Sequence, residues 1–317
     1  MNVAKAFFPL AASLLLSGLL VGTTATAADA SKVVVSIKPV HSLVAAVMQG
    51  VGTPDLIVDG AASPHTYALK PSNARSLQQA QVVFWVGPGM EAFLQKPLAS
   101  LGSNATVVEL DQAPGITKLK FREGGAFEPH DDGDEPAAGE DHAHDHEEFD
   151  THLWLDPHNA KAMVAEITTS LVAADPTNAL IYEANQKALN DKLDALDTEI
   201  ASTLAPVKNK PFIVFHDAYQ YFEHRYGVRV SGSITVSPET IPGAQRVSEI
   251  HSKVADLGAT CVFAEPQFEP RLVNVVLEGT AAKSGVLDPE AATLPQGPDL
   301  YFTLMRGIAN SLKACLS

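Results

Sequence analysis

The chain has 317 residues, 46% of them hydrophobic and 19% charged, with a formal net charge of −15. That length exceeds one ordinary core and predicts two domains, and the composition excludes an intrinsically disordered chain. Eleven of the 37 acidic residues fall between Glu128 and Asp150, where there is no Lys or Arg, so the remainder carries only about −4 and presents no basic face to nucleic acid.

The first residues read as an export signal. Lys5 supplies a positive start, Phe7 to Val21 is an apolar run, and Ala25-Thr26-Ala27 makes a small-x-small cleavage pattern before Ala28. The alternative is a membrane anchor, but small residues follow the apolar run at once. No Cys follows it either, so the expectation is a signal peptide over residues 1–27 and an unanchored protein in the periplasm of a Gram-negative bacterium.

Strand-like runs then alternate with helical ones. Lys32–Val40, Asp55–Val58, Val82–Val86 and Ala105–Leu110 read as strands, and His41–Val51, a stretch opened by Pro71, and Met90–Leu98 as helices. Alternation of this kind predicts βαβ crossovers and a parallel sheet. The segment Thr151–Pro157 reads as strand-like, and Pro157 opens a helix over His158–Ala173. From Asn178 to Leu204 runs a long helical pattern whose Leu189, Leu193, Leu196, Ile200 and Leu204 fall on one face. It would span about 40 Å, enough to serve as a spine for two lobes. The second half repeats the alternation, with strands at Phe212–Phe215, Arg229–Ile234, Thr260–Ala264 and Gly285–Leu287. Helices fill Tyr219–Tyr226, Gln245–Leu257, Arg271–Lys283 and Leu300–Leu316. The predicted class is α/β: two parallel-sheet lobes with flanking helices joined by one long spine helix. The boundaries are 28–175 for the N-terminal lobe (with an acidic His-rich loop at 128–150), 176–206 for the link, and 207–317 for the C-terminal lobe.

Cys261 and Cys315 are the only cysteines. In an oxidising compartment two such residues most often pair; thiols binding a metal are the alternative, which a lone pair so far apart supports little. The histidines carry the chemistry. Open α/β sheets bind ligands beyond the C-terminal ends of their strands, and three histidines take such places. His65 lies in the loop after the second strand, His152 borders the Thr151–Leu155 run, and His216 follows Phe212–Phe215. Each alone reads as an ordinary hydrogen-bonded histidine; together they form a candidate zinc site, since zinc suits several neutral imidazoles. His142, His144 and His146 alternate with other residues in the acidic tract and read as an auxiliary, weakly metal-capturing loop. The tract superficially resembles the HxHxDH pattern of metallo-β-lactamase-like hydrolases, but it is one residue short and lacks a preceding apolar strand. His41, His158, His224 and His251 read as solvated or packed.

At this point a family emerges. The stretches DGAASPHTYALKPSNARSLQQAQVVFWVGPGMEAFLQK (Asp59–Lys96), THLWLDP (Thr151–Pro157), FIVFHDAYQYFE (Phe212–Glu223), ETIPGAQRVSEI (Glu239–Ile250), ATCVFAEPQFEP (Ala259–Pro270) and GVLDP (Gly285–Pro289) resemble the periplasmic zinc-binding proteins of bacterial ABC importers, the ZnuA type. The resemblance implies zinc ligands at His65, His152 and His216, a disulfide between Cys261 and Cys315, and a rigid two-lobed fold. Manganese-binding relatives take a carboxylate ligand from the segment matching GVLDP, which falls on Asp288. One departure stands out: some enterobacterial members carry Glu immediately before the first ligand, where this chain has Pro64. Water or Asp288 is then expected to complete the site. The implied protein is no enzyme. It is a monomeric receptor that captures Zn(II) between its lobes and delivers it to an inner-membrane ABC permease, without a membrane anchor and without nucleic acid. The rivals are a manganese or iron receptor of the same fold, an exported zinc-dependent hydrolase, and a metal buffer or adhesin.

Overall fold

The structure is a computed structural model that describes residue 1 and residues 32–122, 127, 149–235, 242–256, 261–268 and 271–317. The expected signal peptide and the loop residues His142, His144 and His146 lie outside the described residues.

The N-terminal lobe runs β1 (Val33–Val35), α1 (Lys38–Val47), β2 (Asp55–Leu56), α2 (Pro71–Gln79), β3 (Val82–Trp85), α3 (Gln95–Leu101), β4 (Thr106–Glu109) and α4 (Pro157–Ala174). Then comes α5 (Ala179–Leu204), and after it β5 (Pro211–His216), α6 (Gln220–Tyr226), β6 (Arg229–Thr235), α7 (Ala244–Asp256), β7 (Cys261–Ala264), α8 (Arg271–Leu277), β8 (Lys283–Val286) and α9 (Leu300–Leu316). Each lobe holds a four-stranded, wholly parallel sheet, in the orders β2-β1-β3-β4 and β6-β5-β7-β8. The two sheets therefore share one winding, with the order reversing between β1 and β3 in the first and between β5 and β7 in the second.

Several expected boundaries move: the helix expected over Met90–Leu98 runs from Gln95 to Leu101, and the strand expected over Asp55–Val58 ends at Leu56. The strand expected over Lys32–Val40 stops at Val35, because Pro39 sits in the first turn of α1 and a proline cannot donate to a ladder. Thr151–Pro157 is not a strand: Leu153–Leu155 forms a 3-10 turn, closed when Asp156 caps α4 by accepting from the His158 amide at 2.8 Å. The helix expected over Arg271–Lys283 ends at Leu277, and Lys283 opens β8 instead.

The core explains why the halves hold together. On β5, Phe212 and Val214 face one apolar cluster while Ile213 and Phe215 face another, and β7 divides Cys261 and Phe263 from Val262 and Ala264 in the same way. This is the two-residue period of a strand covered on both faces. The first cluster is common to both lobes: Val35 and Phe84 of the N-terminal sheet belong to it with Phe212 and Phe263 of the C-terminal one. The α5 residues Leu189, Leu193, Leu196, Ile200 and Leu204 complete it, all at most 3% exposed. Hydrogen bonds then cross between the halves. Lys38 Nζ donates to the carbonyls of Ala291, Ala292 and Leu294 at 3.1, 2.9 and 3.0 Å. Trp154 Nε1 donates to Pro289 O at 2.8 Å, and Tyr301 Oη donates to Trp154 O at 2.7 Å. Cys261 and Cys315 form a disulfide that ties β7 to α9. No described helix is long and apolar enough to cross a membrane.

Candidate metal centre

The three predicted histidines come together between the lobes. Their ligating nitrogens all lie within 4.8 Å of one another, and the ring centroids are 5.4, 5.9 and 5.1 Å apart for the pairs His65–His152, His65–His216 and His152–His216. Each arrives by a different device. His65 rides on a 3-10 turn, Pro64–Thr66, capped by Ser63 Oγ, which accepts from the His65 amide at 3.3 Å. His152 sits at the start of the Leu153–Leu155 turn. His216 is the last residue of β5, beside the β5/β7 reversal of strand order, the expected ligand position of a doubly wound sheet. The equivalent crevice of the N-terminal sheet is plugged by Glu91, which accepts from Ser36 Oγ and from the amides of Val86 and Gly87. Burial pushes that carboxyl up to about 7.

A carboxylate stands behind each of the two buried rings. Asp150 Oδ1 lies 2.7 Å from His152 Nδ1, and Glu265 Oε1 lies 2.7 Å from His216 Nδ1. With Nδ1–H directed at a carboxylate, each ring keeps its Nε2 lone pair for the space between the lobes. Those two Nε2 atoms are 3.2 Å apart. Two acceptors at that distance repel unless a cation or a proton is shared between them. Nitrogens bound to one tetrahedral zinc at 2.0–2.1 Å lie about 3.3 Å apart, so this pair already has a zinc spacing.

The acid–base properties follow from the surroundings. Burial lowers His65 well below the ordinary imidazole range, and the neighbouring His152 and His216 lower it further. His152 is lowered in the same way, by burial and then by His216. For His216 burial also opposes the charge, but the touching Glu265 carboxylate, reinforced by Asp217 and Asp150, outweighs it and the net shift is upward. Burial pushes Asp150 up to about 7 against the His152 amide that bonds it.

Both roots of the acidic tract bear on this centre. Lys120 and Phe149 form an antiparallel bridge, and Asp150 N donates to Leu119 O at 2.9 Å. Tyr221 of α6 donates to Asp150 O at 2.6 Å, and Arg122 pairs with Asp217 and with Glu223, the latter at 2.6 Å. The tract is thus stapled at its base to the C-terminal lobe immediately behind His152 and His216.

Sequence reasoning misses Glu265 and Asp150, though a signal exists for each. Glu265 directly follows the strand ending at Ala264, at the end where ligands gather, and Asp150 precedes His152 by two residues. Asp288 differs from expectation. Its Oδ1 accepts from Gln267 Nε2 at 3.1 Å and from the Glu290 amide at 3.2 Å, so it bridges the loop after β7 to its own loop. The packed reading of His41 holds, with Nε2 3.0 Å from Pro54 O.

A family profile described as "Zinc-uptake complex component A periplasmic" matches residues 33–315. The high-affinity zinc uptake system protein ZnuA of Brucella suis biovar 1 (strain 1330) is 55% identical over 311 residues, covering 92% of this chain and 93% of that protein. The protein of the same name from Yersinia pestis is 38% identical, covering 96% of each. Among solved structures, a crystal structure of ZnuA aligns with a TM-score of 0.75 at 26% identity, over 91% of this chain and 100% of that one. The periplasmic zinc-binding protein TroA from Treponema pallidum shares the fold, with a TM-score of 0.76 at 21% identity, over 91% of this chain and 99% of that one. The matched region contains both sheets, the spine helix and all three histidines, and the chain belongs to the ZnuA family of periplasmic zinc-uptake components.

Proposed function

We propose that His65, His152 and His216 capture Zn(II) between the two lobes in the periplasm, and that the protein delivers the ion to an inner-membrane ABC permease. The observation that carries this is the pair of Nε2 atoms 3.2 Å apart, each fixed as an acceptor by a carboxylate on its far side. Members of the family are transport receptors and not enzymes, so the work consists of stripping water from the ion, holding it and letting it go. The lobes are taken as residues 28–175 and 207–317, with 176–206 as the link.

The order of events follows from exposure. The side chain of His65 is 14% exposed, against 7% for His152 and 2% for His216. It is also the ligand on a surface turn, so the ion enters past His65 and leaves when docking displaces that turn. The acidic tract, with His142, His144 and His146, raises the local concentration of divalent cations and need not hold the transported ion.

The test is competitive zinc and manganese titration of the mature protein, a form lacking residues 128–150, and a His65→Ala, His152→Ala, His216→Ala triple variant. Tight zinc binding is expected to survive removal of the tract and to vanish in the triple variant. Loss of binding on removal of the tract alone would overturn the assignment and make the protein a loop-based buffer.

A further inference from the structure

Three imidazoles leave a tetrahedral ion one ligand short and carrying its full charge, and the position before the first histidine is Pro64, which has no donor. The segment 288–294 supplies a different carboxylate. We propose that Glu290 is the fourth ligand of the ion held by His65, His152 and His216, a reading that rests on the three-histidine site above.

Glu290 lies 6% exposed with Oε1 3.9 Å from His65 Nε2. Two donors on one tetrahedral zinc are about 3.3 Å apart, so Glu290 stands roughly half an ångström beyond ligand spacing from His65. It lies outside the group of atoms within 4.8 Å of one another that the three histidines form, and joins them on the ion by a movement of its side chain. Asp288 is engaged elsewhere. Its oxygens receive Gln267 Nε2 and the Glu290 amide, at 3.1 and 3.2 Å, with the Thr293 amide at 3.5 Å. That arrangement shapes the turn and leaves the next acidic residue to face the histidines.

The turn is held at three carbonyls by two side chains. Pro289 O, one residue before Glu290, accepts from Trp154 Nε1 at 2.8 Å. Ala291 O and Ala292 O, immediately after it, accept from the buried Lys38 Nζ at 3.1 and 2.9 Å. Between them Ala291 has φ +59°, the one positive φ at a non-glycine position among the described residues. A side chain in the left-handed region is strained, and such residues persist where the surroundings over-determine them, often at ligand clamps. Trp154 and Lys38 both belong to the N-terminal half, and Trp154 is two residues from His152. The C-terminal turn that aims Glu290 is therefore anchored to the same segment that carries one of the histidines.

A carboxylate here changes what the receptor does. It reduces the site's charge from +2 to +1, which favours keeping a desolvated ion between the lobes. It does so with an oxygen donor that zinc accepts beside three nitrogens.

The experiment uses the mature protein and Glu290→Gln, Glu290→Asp, Asp288→Asn and His65→Ala variants. Zinc affinity is measured by chelator competition, coordination by the visible spectrum of the Co(II) form, and folding by melting of the metal-free protein. Glu290→Gln is expected to weaken zinc at least tenfold and to change the Co(II) bands with the metal-free melting point retained. Glu290→Asp keeps the charge but shortens the reach, and is expected to change the bands as well. Asp288→Asn keeps an acceptor oxygen for Gln267 and the Glu290 amide, so the turn is retained and the Co(II) spectrum is expected to stay that of the unaltered protein. Zinc binding within twofold and an unchanged Co(II) spectrum in both Glu290 variants overturn the proposal, as does a spectrum altered by Asp288→Asn alone. If His65→Ala also leaves affinity and spectrum untouched, the three-histidine site itself has failed, an outcome distinct from failure of Glu290.

Discussion

Removal of the carboxylate behind His216 gives the most direct test of how the site is tuned. Glu265 is 3% exposed and touches His216 Nδ1 at 2.7 Å, with the His216 amide directed at the same oxygen at 3.4 Å. It does two separable things: it fixes the tautomer that presents Nε2, and it places a negative charge one imidazole away from the ion. Glu265→Gln keeps an acceptor for Nδ1–H but removes the charge, whereas Glu265→Ala removes both. Losing such a partner typically weakens metal binding by about 10–100-fold, or roughly 1.4–2.7 kcal/mol. The amide variant belongs near the low end and the alanine variant near the high end. Because burying a carboxylate carries a desolvation cost that the neutral amide does not, the metal-free protein should melt no lower in Glu265→Gln than in the parent. Chelator competition at pH 7.5, beside thermal melts without metal, measures both quantities. Zinc affinity in Glu265→Ala within threefold of the parent would refute the idea that this carboxylate prepares His216.

Zinc affinity should fall with pH in two stages. His216 is raised above the usual imidazole value, so a proton competes with the ion already above pH 6.5, while His65 and His152 are lowered and compete only well below it. Titrations between pH 8 and 5 should therefore give about one log unit of affinity per pH unit around 6.5, steepening in more acid solution; a slope of three at 6.5 would contradict this order of protonation. Leu196→Ala, at a fully buried position of the spine, should destabilise the fold by about 3 kcal/mol and lower Tm by roughly 6–12 °C. Calorimetry should show one transition, since the lobes share a core. Arg122→Ala leaves the buried Asp217 and Glu223 carboxylates without their cation and is expected to weaken zinc several-fold in competition titrations, even in protein lacking residues 128–150. Reduction of the Cys261–Cys315 bridge should cost about 4 kcal/mol in the chain-entropy model, read by denaturant melts, with zinc stoichiometry kept at one per chain.

Much of this molecule is legible in its order of residues because the forces that shape its elements act over short stretches of chain. The apolar stripe of the spine, Leu189 through Leu204, and the two-sided burial of Phe212–Phe215 are periodic signals, and each is buried as its period requires. His65 and His216 follow from the rule that ligands collect at strand ends. Thr151–Leu155 misleads, because a short apolar run looks the same whether it closes a 3-10 turn or pairs in a sheet. The capping Asp156 and Pro157 are the better guide there. What the sequence conceals is long-range. Nothing near Glu290 announces that Lys38, more than 250 positions earlier, will pin the following carbonyls. Nor does GVLDP reveal that Asp288 will be taken up by Gln267 and by the Glu290 amide.

Those concealed contacts bear on mechanism more than the visible ones do. A receptor whose lobes closed like jaws would need a thin hinge and separate cores. Here one apolar cluster runs through both lobes, and Lys38, Trp154 and Tyr301 bolt them together beside the metal centre. A large rotation would break those buried bonds, each leaving polar groups without partners. His152 and His216 are also braced by Asp150 and Glu265, so two of the three nitrogens are held by contacts within the protein itself. The adjustable part is small: the His65 turn on one side and the Glu290 side chain, on its pinned turn, on the other. Affinity in such a design comes from a half-built shell that needs little rearrangement to finish. On the proposed reading, release follows when a partner withdraws the His65 turn and not when the lobes are pulled apart.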